Sequence, residues 1–180
     1  VFASGSGTNF EAIVEARIPG LEVALMVCDK PGARVIERAE RLGIPYIAFS
    51  AKDYAEKAAY ETMIIDHLRT LNIDFICLAG YMRIVGPTLY DAYKGRILNI
   101  HPALLPSFKG AHAIDDAFNF GVKVFGVTVH LIDLTIDGGT ILAQRAFEYH
   151  GNDRDEVEAH IHEIEHVLYP EAITEFMKTL

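Results

Sequence analysis

The chain has 180 residues, 51% of them apolar and 23% charged, with a net charge of −9. That length suits a single domain over 1–180, because one hydrophobic core can grow to this size without dividing. The acidic balance argues against a nucleic-acid partner, which needs clustered Lys and Arg, and no apolar stretch approaches the roughly 18 residues of a membrane span.

Taken in chain order, short β-branched runs alternate with longer segments of helical period, the pattern of an α/β domain with one doubly wound, mostly parallel sheet. Strands are expected at 1–4, 21–28, 44–49, 74–79, 96–101, 124–132 and 140–148, and helices at 8–17, 32–42, 53–71, 87–93, 112–120 and 153–179. The helix 53–71 rests on Tyr54, Ala58, Met63, Ile64 and Leu68 at turn spacing. Proline and glycine mark the joints at Pro19-Gly20, Pro31-Gly32, Gly43, Gly86-Pro87 and Gly121. Val1 has no methionine before it and "VFAS" reads as a strand end, so we expect a chain that begins inside its first strand, with no signal or transit peptide. Cys28 and Cys77 lie in apolar runs and read as buried thiols, which fits a reducing, cytoplasmic setting.

In open α/β sheets ligands bind beyond the carboxyl ends of the strands, near the point where strand order reverses. The loops after the first, fourth and fifth strands, "SGSGTN", "GYMRIVG" and "NIHPALLPSFKG", should therefore carry chemistry. The first follows a strand and opens a helix, so its N–H groups and the helix dipole suit a phosphate. It lacks the lysine of one nucleotide fingerprint, and Phe10 replaces the third glycine of the other. Thr8 or Asn9 is the expected helix cap. Asp29 stands where a ribose-binding acid would lie, but a turn residue before Pro31 is the preferred reading.

Asn99 and His101 are two residues apart on a strand and share a face. Asn offers an amide donor and protonated His a charged one, a pair suited to an oxyanion formed at a carbonyl. A nearby carboxylate favours the imidazolium, and Asp137 in "DLTIDGG" is the candidate, with Gly138 and Gly139 letting its loop fold close. Ser107 lacks a nucleophile-elbow context, so direct attack by a substrate amine or water is expected. "HEIEH", residues 162–166, matches the helical zinc signature H-E-x-x-H. It has no evident third ligand, and Val157, Ile161, Ile164 and Leu168 form the apolar stripe, which leaves His162 and His166 on a solvated face. No metal is expected, and zinc chemistry is the rival reading.

With "VFASGSGTNFEAI", "LAGYMRIV", "RILNIHPALLPSFKGAHAI", "GVTVHLIDLTIDGG" and "IHEIEHVLYPEAI" assembled, the chain resembles the folate-dependent phosphoribosylglycinamide formyltransferases over nearly its whole length. The resemblance implies a Rossmann-like formyltransferase fold, 10-formyltetrahydrofolate as co-substrate and glycinamide ribonucleotide as acceptor, in purine synthesis. It implies Asn99, His101 and Asp137 as the catalytic trio, and Gly7, Thr8, Asn9 and Glu165 as contacts to the nucleotide. Lys57, Met82, Arg83, Ile84, Val85, Asn99, Asp133, Leu134, Thr135, Ile136 and Asp137 match the folate site, with His112 beside the same loop. The chain departs from many relatives at Leu134 and Thr140, where an acid and a proline are frequent. The expected partners are thus two small molecules, without nucleic acid or membrane, and a homodimer is compatible with the chain. A formyl-folate hydrolase, a tRNA formylase and a non-catalytic binding module are the alternatives.

Overall fold

The computed structural model describes residues 1–180. In chain order the elements are β1 (Phe2–Ala3), α1 (Thr8–Glu15), β2 (Met26–Cys28), α2 (Arg34–Leu42), β3 (Tyr46–Ala48), α3 (Lys57–Thr70), β4 (Ile76–Leu78), α4 (Pro87–Ala92), β5 (Ile97–His101), α5 (Ala113–Phe120), β6 (Val124–Leu131), β7 (Ile141–Glu148) and α6 (Arg154–Met177), with a 3-10 turn at Ala51–Asp53. The strands form one sheet in the order β3-β2-β1-β4-β5-β6-β7. Pairing is parallel among β3, β2, β1 and β4 and antiparallel between β6 and β7. This is the mostly parallel α/β sheet that the alternation of elements predicts. The chain groups into two compact units, Val1–Leu98 and Asn99–Leu180.

In Val1–Leu98 the strand order reverses at β1: the chain winds out through β2 to β3, then returns to β4 on the other side of β1. Every residue of β1, β2 and β4 is buried. A parallel sheet covered on both faces demands this, and it explains why these strands read as unbroken apolar runs. Ala3, Phe10, Met26, Cys28, Val35 and Ala39 form the cluster that seats α1 and α2.

The two largest departures from the expected boundaries have local reasons. The strand expected at 21–28 starts only at Met26, whose N–H bonds to the Pro45 carbonyl at 2.9 Å. Ile44 cannot extend the ladder, because its N–H is bound to Ala39 O in the turn that ends α2. The helix expected from 53 begins at Lys57: Tyr54 is extended, with its ring against Phe49 and Tyr60. The buried side of α3 is Tyr60, Glu61, Ile64, Ile65 and Leu68, which places a carboxylate among apolar residues.

In Asn99–Leu180 the core forms around β6. Phe125, Val127 and Val129 face one side and Gly126, Thr128 and His130 the other, and all six are buried. α6 packs on β6 and β7, burying Val157, Ile161 and Leu168. Ile164, expected in that stripe, is only partly buried, whereas Glu165 is buried. The register of β6 on β7 shifts between Val129 and His130, a bulge of the kind that re-aims side chains.

Candidate active site

Within Val1–Leu98, residues 4–9 leave β1 and open α1. Gly7, not Thr8 or Asn9, is the cap residue, with φ 77°, and no side chain caps this helix. A Cβ at Gly7 would lie 2.4 Å from Val35 Cγ2, so only glycine lets α2 approach the loop. From α2, Val35 N–H bonds to Gly5 O and Arg38 Nε donates to Ser6 O at 2.7 Å. Arg38 and Arg41 both pair with Glu11. A helix start without a side-chain cap, rooted at both ends, is suited to an anion.

In the same unit, the segment after β4 holds two large apolar side chains in solvent, Met82 at 64% and Ile84 at 62% exposure, while Val85 is buried. Side chains from elsewhere in the unit tie down its backbone. Lys57 Nζ donates to Ile84 O at 2.8 Å, and Ser4 Oγ accepts from Met82 N–H at 2.8 Å. Glu61 accepts from Gly86 N–H at 2.6 Å and Leu89 N–H at 3.0 Å, which caps α4 from α3. Asp29 does sit in a bend, as expected, but it is also buried and paired with Arg83 Nε at 3.0 Å.

Within Asn99–Leu180, Asn99, His101 and Asp137 come together. His101 is buried, with Nδ1 3.6 Å from Asp137 Oδ2 and Nε2 2.8 Å from the Phe108 carbonyl. A carbonyl can only accept, so Nε2 carries a proton. The Asp137 contact is of ion-pair length, and the same Oδ2 accepts from Gly110 N–H at 2.6 Å, joining the loop after β5 to the loop between β6 and β7. Gly139 makes this closeness feasible: its φ is 98°, and a Cβ there would lie 2.0 Å from Leu131 O.

His130, which the sequence reading passed over, completes this group. Its Nδ1 faces the carbonyls of Gly138 at 2.9 Å and Leu131 at 3.2 Å and therefore bears the hydrogen. Burial pushes its pKa below the ordinary value of 6.5, so the ring is neutral near pH 7 and Nε2 is an acceptor. Asn99 Nδ2, 3.1 Å away, is the matching donor. The amide orientation of Asn99 is thus fixed, leaving one N–H and the carbonyl oxygen for another molecule. Thr128 anchors the loop after β5: Oγ1 donates to Ala103 O and accepts from Leu105 N–H and from Gln144 Nε2.

Of the other expected residues in this unit, Leu134 and Ile136 are exposed at 55% and 57%. Asp133 accepts from Thr135 N–H at 2.7 Å, and its bonds with Thr135 hold its carboxyl below the usual range. Glu165 is buried, with Oε2 2.9 Å from Nδ1 of His162. That bond raises the His162 pKa, with further help from Glu158. His162 Nδ1 is therefore engaged within α6, and the His162 and His166 rings lie nearly parallel, centroids 6.5 Å apart. No group of three or more His, Cys, Asp or Glu is arranged to hold a metal ion. His112 immediately precedes α5 and is exposed.

A model of the formyl transferase family matches residues 1–173. The chain belongs to the formyl transferase family. This formyl transferase is 51% identical to a phosphoribosylglycinamide formyltransferase of Bacillus subtilis, over 98% of the chain and 93% of that protein. It is 35% identical to the trifunctional purine biosynthetic protein adenosine-3 of Drosophila melanogaster over 96% of the chain, which spans 13% of that longer protein. The crystal structure of glycinamide ribonucleotide transformylase 1 from Geobacillus kaustophilus superposes with a TM-score of 0.94 at 51% identity, covering 97% of this chain and 95% of that one.

Proposed function

We propose that this formyl transferase moves the formyl group of 10-formyltetrahydrofolate to the amine of glycinamide ribonucleotide, yielding N-formylglycinamide ribonucleotide and tetrahydrofolate in purine biosynthesis. The uncharged amine attacks the formyl carbon, the bond to N10 of the donor breaks, N10 takes up a proton and the amine gives one up. Asn99 offers its remaining N–H to the formyl oxygen, where negative charge develops. As an imidazolium, His101 adds charge to the same oxygen's surroundings, with Nε2–H donating to Phe108 O and Nδ1 at ion-pair distance, 3.6 Å, from the Asp137 carboxylate. Asp137 holds that ring and passes the amine proton through water.

The reading rests above all on Asn99: a half-buried amide whose orientation is dictated by a neutral histidine is a preorganised donor, the feature that stabilises a developing oxyanion. Gly7, Thr8 and Asn9 are assigned to the nucleotide phosphate, and the uncapped start of α1 supports that. Glu165 is assigned to the glycinamide end. Met82 and Ile84, apolar and exposed, support assigning their own segment to the flat pterin, since such groups gain from a ligand that covers them; Leu134 and Ile136, taken by themselves, support the same assignment for theirs. Lys57, Arg83, Val85, Asp133 and Thr135 complete that assignment.

The proposal includes a single formyltransferase domain over 1–180, working in the cytoplasm on small molecules, apart from nucleic acid and membranes, with a homodimer compatible. No helix is long and apolar enough to cross a membrane. The test is consumption of 10-formyltetrahydrofolate by purified protein in chelator, with and without glycinamide ribonucleotide. Consumption that requires the nucleotide and yields its N-formyl product is expected; equal consumption without it would mean a hydrolase.

A further inference from the structure

We propose that the buried Asp29 carboxylate is a positioning residue for the formyl donor, setting the Met82–Val85 segment through Ser4 and Arg83. This rests on the reading above that Met82–Val85 holds the donor. Asp29 and Ser4 immediately follow the neighbouring strands β2 and β1, beside the point where strand order reverses, and they are 3% and 2% exposed. Ser4 N–H bonds to Gly80 O at 3.0 Å, and Ser4 Oγ accepts from Met82 N–H at 2.8 Å. A hydroxyl has one hydrogen, and Ser4 donates it to Asp29 Oδ1. The other carboxylate oxygen accepts from Arg83 Nε at 3.0 Å.

One carboxylate therefore fixes two consecutive residues, Met82 by its backbone and Arg83 by its side chain. Tyr60 limits the swing of Arg83, whose guanidinium carbon lies 5.9 Å from the ring centroid. A segment that presents Met82 and Ile84 to solvent has little packing of its own to hold its shape, so these polar ties must do so. Asp29 acts through Ser4 and Arg83 rather than on the donor itself.

Asn at position 29 keeps the size and can still accept from Ser4, but it turns an amide N–H toward the Arg83 N–H. Asp29→Asn should therefore release the Arg83 arm and raise the KM for 10-formyltetrahydrofolate roughly tenfold, the value of one charge-assisted hydrogen bond. The turnover number and the KM for glycinamide ribonucleotide should stay within about twofold, because the trio in Asn99–Leu180 is untouched. Ser4→Ala, which keeps the Arg83 arm and loses the Met82 arm, should raise the same KM. The dissociation constant of 10-formyltetrahydrofolate, measured by calorimetry without nucleotide, should follow both changes. An unchanged donor KM and dissociation constant in folded Asp29→Asn protein would overturn the proposal, as would equal losses in both KM values and turnover, the mark of general loosening. If Asp29→Asn does not fold, Ser4→Ala decides by the same criteria. A wild-type protein that binds the donor but transfers no formyl group would instead overturn the transferase reading, and calorimetry would still test Asp29.

Discussion

Replacing His130 with Phe keeps a flat ring in the buried end of β6 and removes both ring nitrogens. The Nδ1–H shared between Gly138 O at 2.9 Å and Leu131 O at 3.2 Å disappears, as does the bond from Asn99 Nδ2 at 3.1 Å. Loss of each of the two ring nitrogens leaves a part-buried polar group without its partner, at roughly 1–3 kcal/mol apiece. For a chain of this size that lowers the melting temperature by about 5–15 °C. Loss of an oxyanion donor outright costs about 10²–10³ in kcat. An Asn99 amide free to rotate keeps part of that, so kcat with both substrates saturating should fall roughly ten- to a hundredfold, with both KM values little changed.

The same variant carries a pH signature. Burial depresses the His130 pKa in the folded state, so its stabilising contribution is complete above the ordinary value of 6.5 and is lost as pH falls through the folded value. The gap in melting temperature between wild type and His130→Phe should narrow from about pH 7.5 to about pH 5.5. A His130→Phe protein that melts lower yet keeps kcat within twofold would show that Asn99 is positioned without this histidine.

Asp137→Asn preserves the acceptor for Gly110 N–H but removes the negative charge 3.6 Å from His101, so turnover should fall by roughly two orders of magnitude with the fold intact by circular dichroism. His162 has a raised pKa because it bonds to Glu165; its contribution is present below 6.5 and lost as pH rises through the folded value. His162→Gln should therefore lower the melting temperature in mildly acidic buffer and leave it unchanged well above neutrality. Gly7→Ala forces a side chain into a left-handed conformation and against Val35, at a cost of about 1–2 kcal/mol for the backbone alone, and should raise the KM for glycinamide ribonucleotide.

The sheet and most helices are legible because the requirements of a parallel sheet are written locally, as apolar runs bounded by Gly and Pro. Asn99 and His101 are equally legible, since the period of a strand puts them on one face, and Gly138-Gly139 signals the close loop that carries Asp137. His130 is not, because "VTVHL" reads as an ordinary buried strand and only the register shift and the facing amide give the ring a task. Glu61 is missed because it lies between apolar helix positions, and nothing near it in sequence announces the start of α4 that it caps. Asp29 carries an evident local reason, the turn before Pro31, which hides its partner 54 positions away. Buried polar groups whose partners are distant in sequence are the recurrent gap, whereas periodicity captures what packs.

The central claim is tested most directly by the rate of formyl transfer to glycinamide ribonucleotide in a single turnover of Asn99→Ala, with both substrates saturating and folding verified. The account predicts a fall of about 10²–10³ at nearly unchanged substrate affinity, since the lost donor acts on charge that develops only in the transition state. A rate within twofold of wild type would contradict it and move the chemistry away from Asn99, His101 and Asp137.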